Sequence, residues 1–182
     1  MSMRTFLSLL FASSIIAFAY GPEKPEWYAV NDDVMGGVSK GGPVEAEGPL
    51  LLFVGDISLK NNGGFSSVRA DSSDWALPGD GTLVLKLKGD GRSYWMDVRS
   101  SRRQGAFSYR LGFQTLADKE VTVRMPLASF RASAFGKNIP LGGTIDPRKI
   151  TSLGFTVFDK KDGPFRLEVL DIRFESATAS EP

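Results

Sequence analysis

Leu83-Val84-Leu85-Lys86-Leu87-Lys88, then Gly89-Asp90-Gly91-Arg92, then Ser93-Tyr94-Trp95-Met96-Asp97-Val98-Arg99, is the run from which the architecture reads. In its first part Leu83, Leu85 and Leu87 point one way and Lys86 and Lys88 the other. In its last part Tyr94, Met96 and Val98 share a side, leaving Trp95, Asp97 and Arg99 on the opposite one. Successive side chains of a strand alternate between faces, so a period of two marks two half-buried strands. The Gly-Asp-Gly-Arg link predicts a hairpin turn that presents Asp90 and Arg92. It also opens like a dinucleotide fingerprint, but Tyr stands at 94 and a strand follows. No helix N-terminus is then available to hold a pyrophosphate.

The pattern extends in both directions. Tyr109, Leu111 and Phe113 alternate with Ser108, Arg110 and Gln114, and Val121, Val123 and Met125 with Thr122 and Arg124. Segments 26–31, 50–59 and 64–70 also read as strands. Residues 40–49 read as a turn-rich connection with a short strand over Val44–Glu47. Ser152 to Phe158 is mostly apolar, as in a strand covered on both faces. Asp162-Gly163 turns the chain into Phe165, Leu167 and Val169, after which the apolar parity moves to 170, 172 and 174. A one-residue bulge near Leu170-Asp171 restores a single buried face. Ala128–Phe135 is the one helical candidate, equally readable as a loop. About nine or ten short strands spaced by turns predict an all-β sandwich or barrel. It occupies one domain over 26–175, with a leader at 20–25 and a small, polar, disordered tail at 176–182.

Composition removes several function classes. The 182 residues carry 22 Lys and Arg against 21 Asp and Glu. That balance points away from nucleic acid and anionic membranes. There is no His and no Cys, which rules out His-based triads, thiol catalysis, thiolate metal sites and disulfides. Phe6 to Ala19 is an unbroken small and apolar run, with Arg4 the only charge before Glu23. It is short for a bilayer span but fits a signal-peptide core ending in Ala17-Phe18-Ala19. Residues 1–19 therefore predict export to the periplasm or outside the cell, with no stable membrane insertion after cleavage. A mitochondrial presequence is the alternative.

Two further runs combine amides or carboxylates with adjacent glycines: Asn31-Asp32-Asp33-Val34-Met35-Gly36-Gly37-Val38-Ser39 and Asn61-Asn62-Gly63-Gly64-Phe65. They read as structural corners or as the rim of a binding site. Gly37-Val38-Ser39-Lys40-Gly41 matches a nucleophile elbow, which needs a His base and a following helix that this chain lacks. Trp95, Asp97 and Arg99 stand about 7 Å apart along one strand face. If that face is open it forms a contact surface for a sugar or peptide; if it is covered, Trp95 is core. Glu45 and Glu47 are a candidate carboxylate pair for glycoside hydrolysis, and Asp32, Asp33 and Asp171 are candidate oxygen ligands for Ca²⁺ without an EF-hand spacing. No metal site and no cofactor is assigned.

Several of these blocks, in this order, resemble the CIA30 family. They are Trp27 with Asn31 to Ser39, Phe53-Val54-Gly55-Asp56-Ile57-Ser58-Leu59, Asn61 to Arg69, Gly89 to Tyr94, Ile150 to Phe158, and Gly163-Pro164-Phe165-Arg166-Leu167. The resemblance spans residues 26–174. It implies a galactose-binding-like jelly-roll sandwich and a non-catalytic role as an assembly factor, with a protein partner and no enzyme activity. The mitochondrial member of the family acts on respiratory complex I, and relatives of the fold include carbohydrate-binding modules, so an exported carbohydrate-binding module is the alternative function. The candidate binding residues are Asp32, Asp33, Asn61, Asn62, Arg69, Asp90, Arg92, Trp95, Asp97 and Arg99.

Overall fold

Alternating apolar residues can be buried only by facing a second layer, and here two antiparallel sheets bury each other. The computed structural model describes residues 15–17, 25–72, 75–100 and 107–177. In chain order its strands are β1 (Ile15–Ala17), β2 (Tyr28–Asn31), β3 (Lys40–Val44), β4 (Leu51–Ile57), β5 (Ser66–Asp71), β6 (Gly81–Gly89), β7 (Ser93–Arg99), β8 (Ser108–Gln114), β9 (Glu120–Pro126), β10 (Arg131–Ala134), β11 (Lys137–Asn138), β12 (Ser152–Val157) and β13 (Gly163–Ser176). One sheet runs β3-β4-β13-β6-β9, with β1 paired to β13. The other runs β11-β10-β8-β7-β12-β5-β2. Among the described residues there are short 3-10 turns and no α-helix. The fold is a jelly-roll sandwich.

The core lies between the sheets. Leu83, Leu85 and Leu87 enter it from β6, and Tyr94, Met96 and Val98 from β7, all fully buried. Phe53 meets Phe165 edge-on at 4.7 Å, and Phe113 meets Phe155 at 6.4 Å. The hairpin expected at Gly89–Arg92 is corrected: β6 and β7 belong to different sheets, so the link crosses the sandwich instead of closing a ladder. The two leucine- and aromatic-bearing faces thus oppose each other across the core. Side-by-side pairing would have left one core layer without a partner.

β13 contains the expected bulge. Val169 pairs with Leu87 and Asp171 with Lys86, leaving Leu170 as the extra residue. Val169, Ile172 and Phe174 consequently all face inward. β12 is an interior strand between β7 and β5 and is buried along its whole length, as its apolar composition predicts.

Two segments differ from expectation. The short strand in the 40–49 connection is Lys40–Val44, not Val44–Glu47. Its glycines allow close approach: a Cβ on Gly41 would sit 2.6 Å from the Phe165 ring, and one on Gly55 would sit 2.5 Å from Gly41 Cα. Pro43 is tolerated because β3 is an edge strand. Segment 128–135 is not helical: it is the end of a 3-10 turn followed by β10, which pairs with β8. Pairing on an open sheet edge overrides the weak local preference of a short Ala-rich run. Of the 1–19 leader only Ile15–Ala17 is described, and residues 18–24 and 178–182 of the leader and tail also lie outside the described residues.

Candidate functional site

The two glycine runs converge on one carboxylate. Asp32 is fully buried. Its Oδ1 accepts the Ser39 N–H at 3.0 Å, and its Oδ2 accepts the Ser39 hydroxyl at 2.5 Å, the Gly64 N–H at 2.6 Å and the Phe65 N–H at 3.3 Å. Gly37 and Gly63 line this pocket so closely that added Cβ atoms would stand 2.3 Å from Asp32 Cγ and 2.6 Å from Oδ2. Gly36 and Gly64 take positive φ values of 87° and 125°, which only glycine adopts cheaply. Burial pushes the Asp32 carboxyl up, but the Ser39 hydroxyl and the three backbone N–H groups outweigh it and hold the group below the ordinary carboxylate range. Asp32 is a corner clamp. Asp33 beside it is exposed and accepts its neighbour's N–H. Asn61 and Asn62 are exposed in left-handed conformation. Among the described residues no three carboxylates gather to hold a cation, so Asp32, Asp33 and Asp171 do not form the Ca²⁺ set. Asp171 instead pairs with Arg173 at 2.9 Å.

Arg92 has a similar structural occupation. It is 8% exposed. Its Nε and Nη2 donate to the Asp159 carboxylate at 3.0 and 2.8 Å, its Nη1 donates to the carbonyls of Gly163 and Pro164, and Nη2 also meets the Lys161 carbonyl. Arg92 therefore pairs with Asp159 and not with Asp90, the other charge that the turn presents. Asp90 accepts the Arg92 backbone N–H, the Tyr94 hydroxyl and the Arg166 N–H. Together these residues lock the β6–β7 crossover to the β12–β13 turn.

The open chemistry is on the outer face of the seven-stranded sheet, away from the core. Strand register places Tyr28, Arg69, Gly154, Asp97 and Arg110 in one row across β2, β5, β12, β7 and β8. Asp71, Ser152 and Arg99 form the next row, and Ser67, Thr156 and Trp95 the row on the other side. A cleft of about 800 Å³ lies over these rows, with Arg69, Arg99, Arg110, Ser67, Ser108 and Thr156 among its floor residues. Gly154, lacking a side chain, leaves room between Arg69 and Asp97.

Asp97 is 1% exposed and fully occupied. Its oxygens accept from the Ser108 hydroxyl at 2.8 Å, from the Thr156 hydroxyl at 2.7 Å, and from Arg110 Nε and Nη2 at 3.1 and 2.9 Å. Burial raises its pKa, but Arg110, Arg99 and the two hydroxyls prevail and hold it below the ordinary value. Arg99 is 8% exposed, and among the described residues its Nε and Nη1 have no hydrogen-bond partner; neither has Arg69 Nε. Burial lowers the Arg99 pKa against the opposing pull of Asp97, with Arg69 and Arg110 adding to the lowering. Trp95 lies under the Arg110 guanidinium, 5.3 Å from the ring centre, and stacks over Gly112. Apolar side chains surround the opening: Tyr28, Val34, Met35, Phe135 and Phe158 line it and are all exposed.

Of the sequence candidates, Asp33, Asn62, Arg69 and Arg99 line the cleft, with Asp97 beneath it, whereas Asp32, Asp90 and Arg92 are committed to the scaffold. Arg110, Ser108 and Thr156 were missed. Alternation places Arg110 and Ser108 on the outer face of β8, but only cross-strand register puts them beside Asp97. Tyr28 and the Val34-Met35 pair carried no sequence signal beyond being apolar next to a turn. Glu45 and Glu47 are exposed after β3 and do not line this cleft.

A family model for complex I intermediate-associated protein 30 (CIA30) matches residues 16–169. The mitochondrial complex I intermediate-associated protein 30 of Mus musculus is 34% identical over 106 residues, covering 56% of this chain and 31% of that protein. Its Drosophila melanogaster counterpart is 31% identical over 110 residues, covering 56% and 36%. The chain thus aligns with only about a third of the length of these curated relatives. Among solved structures, the family 11 carbohydrate-binding module of the Clostridium thermocellum cellulase Lic26A-Cel5E superposes with a TM-score of 0.60 at 15% identity, over 93% of this chain and 97% of that one. A second structure of the Clostridium thermocellum module, in complex with a β-1,3-1,4-mixed-linked tetrasaccharide, gives 0.58 at 16%, over 90% and 95%. At that identity the likeness shows the shared jelly roll. With the family model matched over nearly all of the sandwich, and the signature runs at Asn31 and Asn61 closing on Asp32, the chain belongs to the CIA30 family.

Proposed function

We propose that this protein is a non-catalytic binding module of the assembly-factor kind, engaging a protein partner through the cleft on the seven-stranded sheet. The observation that carries the reading is the apolar rim. Phe135, Val34 and Met35 are 79%, 70% and 58% exposed around one opening, next to the half-exposed rings of Tyr28 and Phe158. Soluble monomers seldom group large apolar side chains around a cleft unless a partner covers them. The curated relatives are named for association with a complex I intermediate, which supports a protein partner. A photo-crosslinking residue at Val34 or Phe158, compared with one at Thr122 on the far sheet, tests it in the native organelle or envelope fraction. A discrete adduct from the two cleft positions and none from Thr122 is expected. Equal labelling from both faces, or none, would sink the reading.

The second reading is a carbohydrate-binding module, favoured by the same two rings beside buried hydrogen-bonding side chains, since sugars stack on aromatics and hydrogen-bond to Arg and Asp. A glycan array on which the wild type binds and Tyr28→Ala does not would support it. The relatives' names carry a mitochondrial address, whereas Phe6–Ala19 has the make-up of an export signal. The mature N-terminus and the compartment in which the protein accumulates distinguish them. Among the described residues no helix is long and apolar enough to cross a membrane.

A further inference from the structure

We infer that the cleft floor is a carboxylate receptor, and that its occupant is an extended acidic segment of the protein partner whose Asp or Glu side chain lands on Arg99 and Arg69 while flanking apolar side chains cover the rim. This deepens the partner reading above and rests on it.

Asp97 lies directly beneath the floor. An ionised carboxylate offers about four acceptor sites, and Ser108, Thr156 and the two donors of Arg110 occupy them. Nothing remains for Arg99, although it is nine-tenths buried and lines the cleft. Its Nε and Nη1, and Arg69 Nε, are donors without acceptors among the described residues. A guanidinium stays charged at any physiological pH, and buried donors of a charged group are costly to leave unmade. The other acids nearby do not relieve it. Asp33 is on the exposed rim, bonded to the Val34 N–H, and Asp71 is exposed, accepting the Tyr28 hydroxyl at 2.9 Å. Among the described residues, three guanidiniums against one saturated carboxylate leave a net positive floor under an apolar rim. An incoming carboxylate matches the fork of Arg99 bidentately. The rim selects what accompanies it: Phe135, Phe158, Val34 and Met35 offer flat apolar area that a peptide's Leu or Phe would cover. A strongly hydrated free anion or an acidic saccharide would leave that area wet.

The test is a phage-displayed library of random nonapeptides selected on the full chain and, in parallel, on Arg99→Gln. Selection on the wild type should enrich Asp or Glu at one position flanked by apolar residues, and selection on Arg99→Gln should not. The best peptide, synthesised with Glu and with Gln at that position, should differ in affinity by about tenfold to a hundredfold on the wild type. That difference should collapse on Arg99→Gln and Arg69→Gln, survive in part on Arg99→Lys, and persist on Arg124→Gln of the far sheet. Thermal melts of each variant separate lost binding from lost folding. No acidic enrichment, or a Glu preference that survives Arg99→Gln in a folded protein, overturns the inference. So does tight binding of trigalacturonate with no peptide selected, which would transfer the floor to acidic saccharides. Crosslinks from Phe158 that persist undiminished on Arg99→Gln would leave the partner reading standing while the carboxylate receptor fails.

Discussion

Replacing Asp32 by Asn tests the most connected carboxylate of the scaffold with almost no change of shape. Asp32 receives four hydrogen bonds from two separate loops, one from a hydroxyl and three from backbone N–H groups. An Asn must turn its NH₂ either toward the Ser39 N–H or toward those of Gly64 and Phe65. Each orientation sets donor against donor and strands at least one buried N–H. A hydrogen bond to a charged group contributes about 1.5–3 kcal/mol, and a stranded buried donor costs a comparable amount, so the expected loss is about 3 kcal/mol. For a domain of this size that lowers Tm by about 6–12 °C. Urea unfolding at pH 7 should show a lower midpoint with an unchanged m-value. The pH dependence has a definite sign. The folded pKa lies below the unfolded value of about 3.9, so the stabilisation is complete above that value and is lost as pH falls through the folded pKa. The gap between wild type and Asp32→Asn should therefore hold from pH 7 to pH 5 and close below about pH 4. A loss under about 0.5 kcal/mol at pH 7, or a gap that does not narrow in acid, would refute the clamp.

Three further perturbations bear on the same scaffold. Gly37→Ala places a methyl 2.3 Å from Asp32 Cγ and should cost at least about 2 kcal/mol by calorimetry, whereas Gly79→Ala, with open space around it, should stay within about 0.5 kcal/mol. Arg92→Ala leaves Asp159 and three carbonyls without their donor and should cost about 3–5 kcal/mol in urea unfolding. Deleting Leu170 removes only the bulge, since Val169 then precedes an outward Asp171 and an inward Ile172. The fold should survive with a cooperative transition and a loss of about 1–2 kcal/mol, and loss of cooperativity would show that the bulge does more than reset parity.

Parity was legible from residue types alone. The alternation in β6 and β7 separates core from outer face, and the shift from Val169 to Ile172 locates the bulge. These signals are local: the pleat assigns each side chain to a face, and burying the wrong face is expensive. The crossover at Gly89–Arg92 was not legible, because a Gly-Asp-Gly turn serves a hairpin and a sheet change equally well. What decides is Arg92 reaching Asp159, 67 residues away. The 128–135 segment was misleading for the same kind of reason, since its partner is an edge of β8 contributed from elsewhere.

The candidate site divides along the same line. Its parts Arg69, Asp97 and Arg99 stand out in the sequence as charges on the outer side of apolar strands. The sequence alone determined that the chain is all-β and without histidine or thiol chemistry, and its resemblance to the CIA30 family implied the jelly-roll sandwich; whether the two glycine runs were corners or a binding rim it left open. Only the tertiary structure decided which charges are spent and which are free. Asp97 is satisfied by Arg110 of one neighbouring strand and Thr156 of the other, pairings set by register across β8, β7 and β12. Arg99, one pleat along on the same face, has buried donors without acceptors among the described residues, under an apolar opening. Hydrogen-bond satisfaction is a property of all the strands that meet at a point, and it is there that the candidate site is defined.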